Sequence, residues 1–169
     1  EPSFFNLKLL VKNVNINDCQ DMTNIISNPL FESVGFGEFK YGSIVEGGAL
    51  SAFGVDFGHD GERINSQIGS NVLGLSLDWM LDNKIINIPN LIKLDVDGIE
   101  HIILKGAKKI LMHPDCKSIL VEVNDNFLEQ SKNVDALLTS YGYTLRDKLH
   151  GKSTDQSDLF STSYNQIWV

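Results

Sequence analysis

The 169-residue chain is short of cysteine, of proline and of positive charge, and each shortage removes a class of protein. Its two cysteines, Cys19 and Cys116, stand far apart with no paired spacing, and no Asn-x-Ser/Thr sequon occurs, so a disulfide scaffold is excluded and a reducing cytoplasm is expected. Fourteen Lys and Arg stand against 22 Asp and Glu, a net charge of −8, which leaves the chain unable to neutralise a phosphate backbone; no nucleic acid partner is expected. No apolar run approaches the roughly 18–20 residues of a membrane span, and no basic start leads into an apolar export signal. With 42% hydrophobic and 21% charged residues, the chain reads instead as one globular domain, 1–169, with a core of its own.

Periodicity predicts the elements. Phe4, Leu7, Leu10, Val11 and Val14 recur at helical spacing behind Pro2 and Ser3, predicting a helix over Ser3–Asn15. Met22–Ser27 reads as a strand ended by Asn28-Pro29. Leu30–Gly74 is broken by frequent glycine and reads as irregular, with short edge strands around Phe39–Tyr41 and Leu50–Val55. Leu75–Asn83 is a helix capped by Ser76, and Ile85–Pro89 a connector. Leu91–Val96 is a short apolar run of the kind buried on both faces of a parallel sheet, closed by Gly98. The stripe Ile99, Ile102, Ile103, Ile110 and Leu111 predicts a helix; Ser118–Val123 repeats the strand pattern; Val134, Leu137, Leu138 and Tyr141 form a helix stopped by Gly142. Tyr143–Leu145 and Gln166–Val169 are the closing strands. Alternating strands and helices predict an α/β doubly wound sheet.

Several motif-like fragments fail. Gly35-Phe36-Gly37-Glu38-Phe39-Lys40 has Lys40 where a dinucleotide fingerprint needs its third glycine, and Gly151-Lys152-Ser153 follows Arg146 where a phosphate loop needs its first; both are read as loops. Asp95-Val96-Asp97-Gly98 places its glycine too early for a calcium loop. His59, His101, His113 and His150 show no ligand spacing, so no metal is expected.

Ligands of open α/β sheets lie beyond the carboxyl ends of the strands. Asp95 and Asp97 occupy one such exit, Glu100 the first turn of the next helix, and Glu122 the end of the next strand. Two roles are open for Asp97 and Glu100: chemistry, or complementing the helix N-terminus. Asp95 at the end of a buried strand needs a partner or a substrate.

The run Leu91-Ile92-Lys93-Leu94-Asp95-Val96-Asp97-Gly98-Ile99-Glu100, then Leu104-Lys105-Gly106-Ala107, then Leu120-Val121-Glu122-Val123, closely resembles the signature of the FkbM-like methyltransferases, with Asp97 where that family commonly has glutamate. Glu1-Pro2 and its helix, Asn13 to Asn17, Ser76-Leu77-Asp78, Gly142-Tyr143 and Asn165–Val169 extend the likeness end to end. The resemblance implies a Rossmann-like methyltransferase fold, a mostly parallel sheet with helices on both faces and strand order 3-2-1-4-5-7-6. In that family a first strand and a glycine-rich turn precede the Glu-Pro. The chain is therefore expected to be the carboxyl-terminal part of a longer enzyme, incomplete at its N-terminus and inactive alone. S-adenosylmethionine is the implied cofactor, with Glu1 on its ribose hydroxyls and Asn28 near its adenine. Asp95, Glu100 and Asp97 are the implied catalytic carboxylates, Asp95 first as proton acceptor and Glu100 orienting the acceptor. The acceptor is a hydroxyl of a sugar, glycolipid or natural product. Two rivals use the same residues. Asp-x-Asp-Gly after an apolar strand resembles the haloacid dehalogenase-like phosphatases, although Ile99 replaces their threonine; a non-catalytic binding domain of the same fold is the other.

Overall fold

The structure, a computed structural model, describes residues 1–66, 68–150 and 160–169. The Gly151-Lys152-Ser153 fragment lies outside the described residues. Among the described residues no helix is long and apolar enough to cross a membrane.

Helix α1 (Phe4–Ile16) starts where Ser3 Oγ accepts the Asn6 N–H, close to the predicted bounds. Residues 23–27 then form no strand: a strand exists only through a paired neighbour, and none of the described segments supplies a ladder. The glycine-rich middle, expected to be irregular, is a three-stranded antiparallel sheet, β1 (Gly35–Lys40), β2 (Ala52–Phe53) and β3 (Gly69–Gly74), in the order β2-β1-β3. Gly35–Lys40 is thus a strand and not a loop. Its glycines serve packing, since a Cβ on Gly37 would lie 2.9 Å from Phe53 Cζ and one on Gly74 2.3 Å from Phe53 Cε1.

Helix α2 (Leu77–Asp82) begins at Ser76, whose hydroxyl accepts the Trp79 N–H. Strand β4 (Leu91–Leu94) pairs in parallel with β5 (Ser118–Asn124). The single helix predicted over 99–111 is two, α3 (Glu100–Lys105) and α4 (Lys108–Leu111). The break falls at Gly106, where a Cβ would lie 2.6 Å from Phe31 O and 2.7 Å from Glu32 O, so the chain turns to admit a crossing backbone. Asp78 of α2 then caps α4 from outside, accepting the Lys109 N–H at 2.9 Å. Helix α5 (Leu128–Ser140) ends before Gly142, which adopts φ +94°. β6 (Leu145–Leu149) and β7 (Ser163–Trp168) both lie displaced from their predicted bounds.

The second sheet has the order β4-β5-β7-β6, with β7 antiparallel to both its neighbours. Only the β4–β5 pairing is parallel, so the described sheet is mixed and not mostly parallel. Among the described residues α3 and α5 pack on this sheet, on the face of Ile119, Val121 and Val123. Ile119, Val121 and Val123 are fully buried with Ile103, Leu104, Val134 and Leu138 of α3 and α5, each such side chain contributing about 1.5–3 kcal/mol. On the opposite face Leu120, Glu122 and Ile167 are half-buried, and Lys93 is exposed. Strand β4, expected to be buried on both faces, is an edge whose Leu91 is 72% exposed.

The β4–α3 turn is organised by Glu100, which is 1% exposed. Its carboxylate accepts the Val96 N–H at 2.9 Å and the Gln130 side-chain N–H, while Gln130 Oε1 accepts the Asn124 N–H at 2.8 Å. Burial pushes the Glu100 carboxyl up to about 8, against the pull of these donors and of the Gly98 and Glu100 N–H groups.

Two outcomes are expected. Gly106→Ala should destabilise the fold by about 1–3 kcal/mol, because the added methyl would meet the Phe31 and Glu32 backbone oxygens; denaturant titration measures it. Because the folded Glu100 carboxyl titrates near 8 and the unfolded one near 4.5, the stability it lends is full below 4.5 and is lost as pH rises through 8. Urea midpoints should therefore fall between about pH 5 and pH 8, and Glu100→Gln should flatten that fall.

Candidate active site

The carboxyl ends of β4 and β5 meet a turn, a hairpin and a loop. The turn is Asp95–Gly98, folded onto Glu100 as described. Gly98 adopts φ +110°, and a Cβ there would lie 2.5 Å from Gly58 O, so only glycine lets the neighbouring backbone pass. That backbone belongs to a hairpin closed by the Phe57–Arg63 bridge and the Gly58 N–H to Glu62 O bond. Asn124, at the end of β5, holds it by donating to His59 O at 3.2 Å. The hairpin thus rests on the exits of both parallel strands.

The loop over residues 42–51 lies beside it. Asn6 of α1 fastens its tip, donating to Gly48 O at 2.8 Å and accepting the Gly47 N–H at 2.9 Å, and Lys8 pairs with Glu46 at 2.7 Å. Asp97 fastens its return: one carboxylate oxygen accepts the Leu50 N–H at 2.7 Å and the Ser51 N–H at 3.2 Å. Leu50 sits there at φ +65°, a left-handed conformation that a branched side chain holds only when its neighbours require it. Burial pushes the Asp97 carboxyl up, and the two N–H donors and nearby His59 pull it back.

Between these parts lies a cleft of about 310 Å³. Glu1, Asn28, Asp95 and Asp97, drawn from separate stretches of chain, all line it, with Leu30, Phe39, Phe53 and Ile99 as apolar wall. Four of the five residues singled out from the sequence are therefore brought together. Glu100 is not among the lining residues; it lies beneath the cleft, engaged with the turn. Glu1 uses one carboxylate oxygen on the Ser3 N–H at 2.8 Å, and Asn28 donates to Leu73 O at 2.8 Å, tying its segment to β3.

Asp95 pairs with Lys93 at 2.7 Å. Beside it on β5, Glu122 is pushed up to about 7, first by burial and then by the charges of Asp95 and Asp97, with Lys93 opposing. Asn6, Ser51 and Glu122 were not chosen as site residues from the sequence. Glu122 was placed at a strand exit from the sequence but given no role; it lies two residues before the end of β5. Asn6 and Ser51 carry no local signal, because only the fold of the 42–51 loop gives them their place. Among the described residues no group of three His, Cys, Asp or Glu side chains is disposed to hold a metal ion. A second groove, beside Gly35–Lys40 and floored by Phe31 and Phe53, contains none of the residues the sequence singled out.

Comparison with known proteins gives one match: the model of the methyltransferase FkbM domain covers residues 1–145. No curated protein and no solved structure matches. The matched span includes the helix that carries Asn6, the 42–51 loop, both parallel strands and the Asp95–Glu100 turn, and the chain belongs to the FkbM methyltransferase domain family.

Proposed function

We propose that the protein transfers a methyl group from S-adenosylmethionine to a hydroxyl of a sugar, glycolipid or natural product. The observation that carries this reading is the cleft itself, which gathers Glu1, Asn28, Asp95 and Asp97 at the carboxyl end of β4. The order β4-β5-β7-β6 supports it, being the order the family resemblance implies for these four strands.

The lining fits the cofactor. Leu30, Phe39, Phe53 and Ile99 suit an adenine, the carboxylates suit a sulfonium cation, and among the described residues no Lys, Arg or His lines the cleft to oppose that charge. Glu1 would hold the ribose hydroxyls with the oxygen that Ser3 leaves free, and Asn28 would lie by the base with its carbonyl oxygen. The bound cofactor supplies an electrophilic methyl group. Everything else falls to the chain. Asp95, half-exposed and neutralised on one side by Lys93, is positioned to accept the proton of an acceptor hydroxyl. Asp97, with one oxygen on two backbone N–H groups, holds the 42–51 loop over the cleft and so limits water. Glu100 keeps the turn that presents both. In this reading the glycine turn for the cofactor's methionine end comes from chain upstream of Glu1, beside the free edge of β4. Half-exposed Cys19 and buried Cys116, both free thiols, suit a reducing cytoplasm.

Calorimetric titration with S-adenosylhomocysteine tests the reading on the chain as given and on a version extended upstream. Saturable binding is expected for the extended protein and not for residues 1–169 alone. Absence of binding to both overturns the cofactor. In the extended protein Glu1→Gln should weaken binding by about 1–3 kcal/mol. Asp95→Asn should leave affinity little changed and lower methyl transfer to a panel of sugar hydroxyls on the order of 10²-fold or more. Undiminished transfer would reject Asp95 as the proton acceptor.

A further inference from the structure

The groove beside Gly35–Lys40 adjoins the cleft, because Phe53 lines both. It measures about 390 Å³, within the roughly 300–1,000 Å³ of small-molecule sites. One side of it is a piece of unpaired strand edge. β2 spans only Ala52–Phe53 and so covers β1 at Phe39 and Lys40 alone. The chain then leaves the ladder, with the Gly54 N–H donating to Glu38 O at 3.0 Å. That bond fixes the side on which the Glu38 carbonyl lies, and by the alternation of an antiparallel strand the N–H and C=O of Phe36 face the same way. Among the described residues no strand pairs with Phe36 on that side. Side chains complete the groove. Phe36, Glu38 and Lys40 fall on one face of β1, and the Phe36 ring is 81% exposed. The Lys40 ammonium is held by Asp56 and lies 3.9 Å from Glu38, with its side chain only 19% exposed, whereas both carboxylates are exposed.

These groups select a chemistry. Two carboxylates against one cation that is already paired repel a phosphate or a carboxylate. An acyl chain would strip water from charged walls without giving hydrogen bonds in return. A peptide strand would find little to pair with, since Phe36 alone in β1 keeps both its N–H and its C=O free on that side, the Glu38 carbonyl being taken by Gly54. A neutral sugar ring fits all three conditions. Its C–H face packs on an aromatic ring, and its hydroxyls donate to carboxylate and carbonyl oxygens and accept from an N–H. We propose that the groove is a sugar-binding subsite, with Phe36 as the platform and Glu38, Asp56 and the Phe36 main chain as its hydrogen-bonding groups, and that it holds a neutral sugar of the acceptor. Sugar binding stands on the groove itself; that the sugar belongs to the acceptor rests on the methyl-transfer reading, in which it narrows the acceptor to a glycan.

Amide-shift titration of the upstream-extended protein with maltose, cellobiose, lactose and N,N′-diacetylchitobiose tests the subsite, with inorganic phosphate, octanoate and capped trialanine as the competing chemistries. At least one of the disaccharides should shift the amides of Gly35–Glu38 and Gly54–Asp56 saturably, and the three competing probes should leave them in place. Phe36→Ala, a truncation at an exposed position, should weaken that binding by about tenfold or more. Gly35→Val should block it by a different route. Gly35 lines the groove and a Cβ there meets nothing within 4 Å, so the added side chain enters open space and leaves the fold undisturbed. Shifts from none of the disaccharides would overturn the proposal, as would the same amides moved instead by phosphate, octanoate or trialanine, or sugar binding that both substitutions leave intact. The two readings fail separately. Shifts at Asp95–Asp97 with S-adenosylhomocysteine but none with any sugar would remove the subsite and keep methyl transfer, whereas sugar shifts in a protein that does not bind S-adenosylhomocysteine would keep the subsite and remove its place in the reaction.

Discussion

The structure depends most on one buried carboxyl group. Glu100 is enclosed at the base of the β4–α3 turn, where an uncompensated charge would cost several kcal/mol; burial raises its carboxyl to about 8, and backbone and side-chain N–H groups converge on its oxygens. The compensation fixes geometry. Val96 is drawn down onto Glu100, Gln130 reaches across from α5, and Gln130 in turn receives Asn124, so the exits of both parallel strands are tied to the same group. Asp95 and Asp97, on either side of Val96, are thereby presented outward.

What those two residues meet follows from the same turn. Gly98 reverses the chain closely enough for the Gly58–His59 backbone to cross it, and Asn124 secures that crossing from β5. Asp97 takes hold of the 42–51 loop at Leu50 and Ser51, while Asn6 holds its tip from α1. The cleft is therefore walled by segments that lie far apart in sequence, residues 1–6, 28–30, 39, 48–53 and 95–103. The Asp-x-Asp-Gly sequence that resembled a phosphatase nucleophile motif is used differently here: its second aspartate is committed to backbone N–H groups, and the family match lies with methyltransferases.

The legible parts were those governed by neighbours in sequence. Ser76 caps the helix it was read to cap, Ser3 marks the start of α1, Gly142 closes α5, and Leu91–Val96 and Ser118–Val123 overlap the two parallel strands, because capping residues and short apolar runs leave their mark within a few residues. The antiparallel sheet was not legible. Gly37 and Gly74 look like breakers, and their real partner, the Phe53 ring, is remote in sequence. Gly106 hid a helix break for the same reason, its constraint being the Phe31 backbone. In the site, Asp95 could be found from its place at a strand end, and Glu1 and Asn28 from the family likeness. The distinct duties of Asp97 and Glu100 could not, since one holds a loop and the other a turn through contacts that only the fold creates.

The central claim is that the cleft beside Asp95 is where the cofactor sits. Amide chemical-shift mapping during titration of S-adenosylhomocysteine into the upstream-extended protein tests it most directly. The account predicts shifts concentrated at Ser3, Asn28, Leu30, Phe39 and Asp95–Asp97, with Leu50 and Ser51 responding through their hold on Asp97. Shifts confined to the groove beside Gly35–Lys40, with the Asp95–Gly98 turn unmoved, would contradict it.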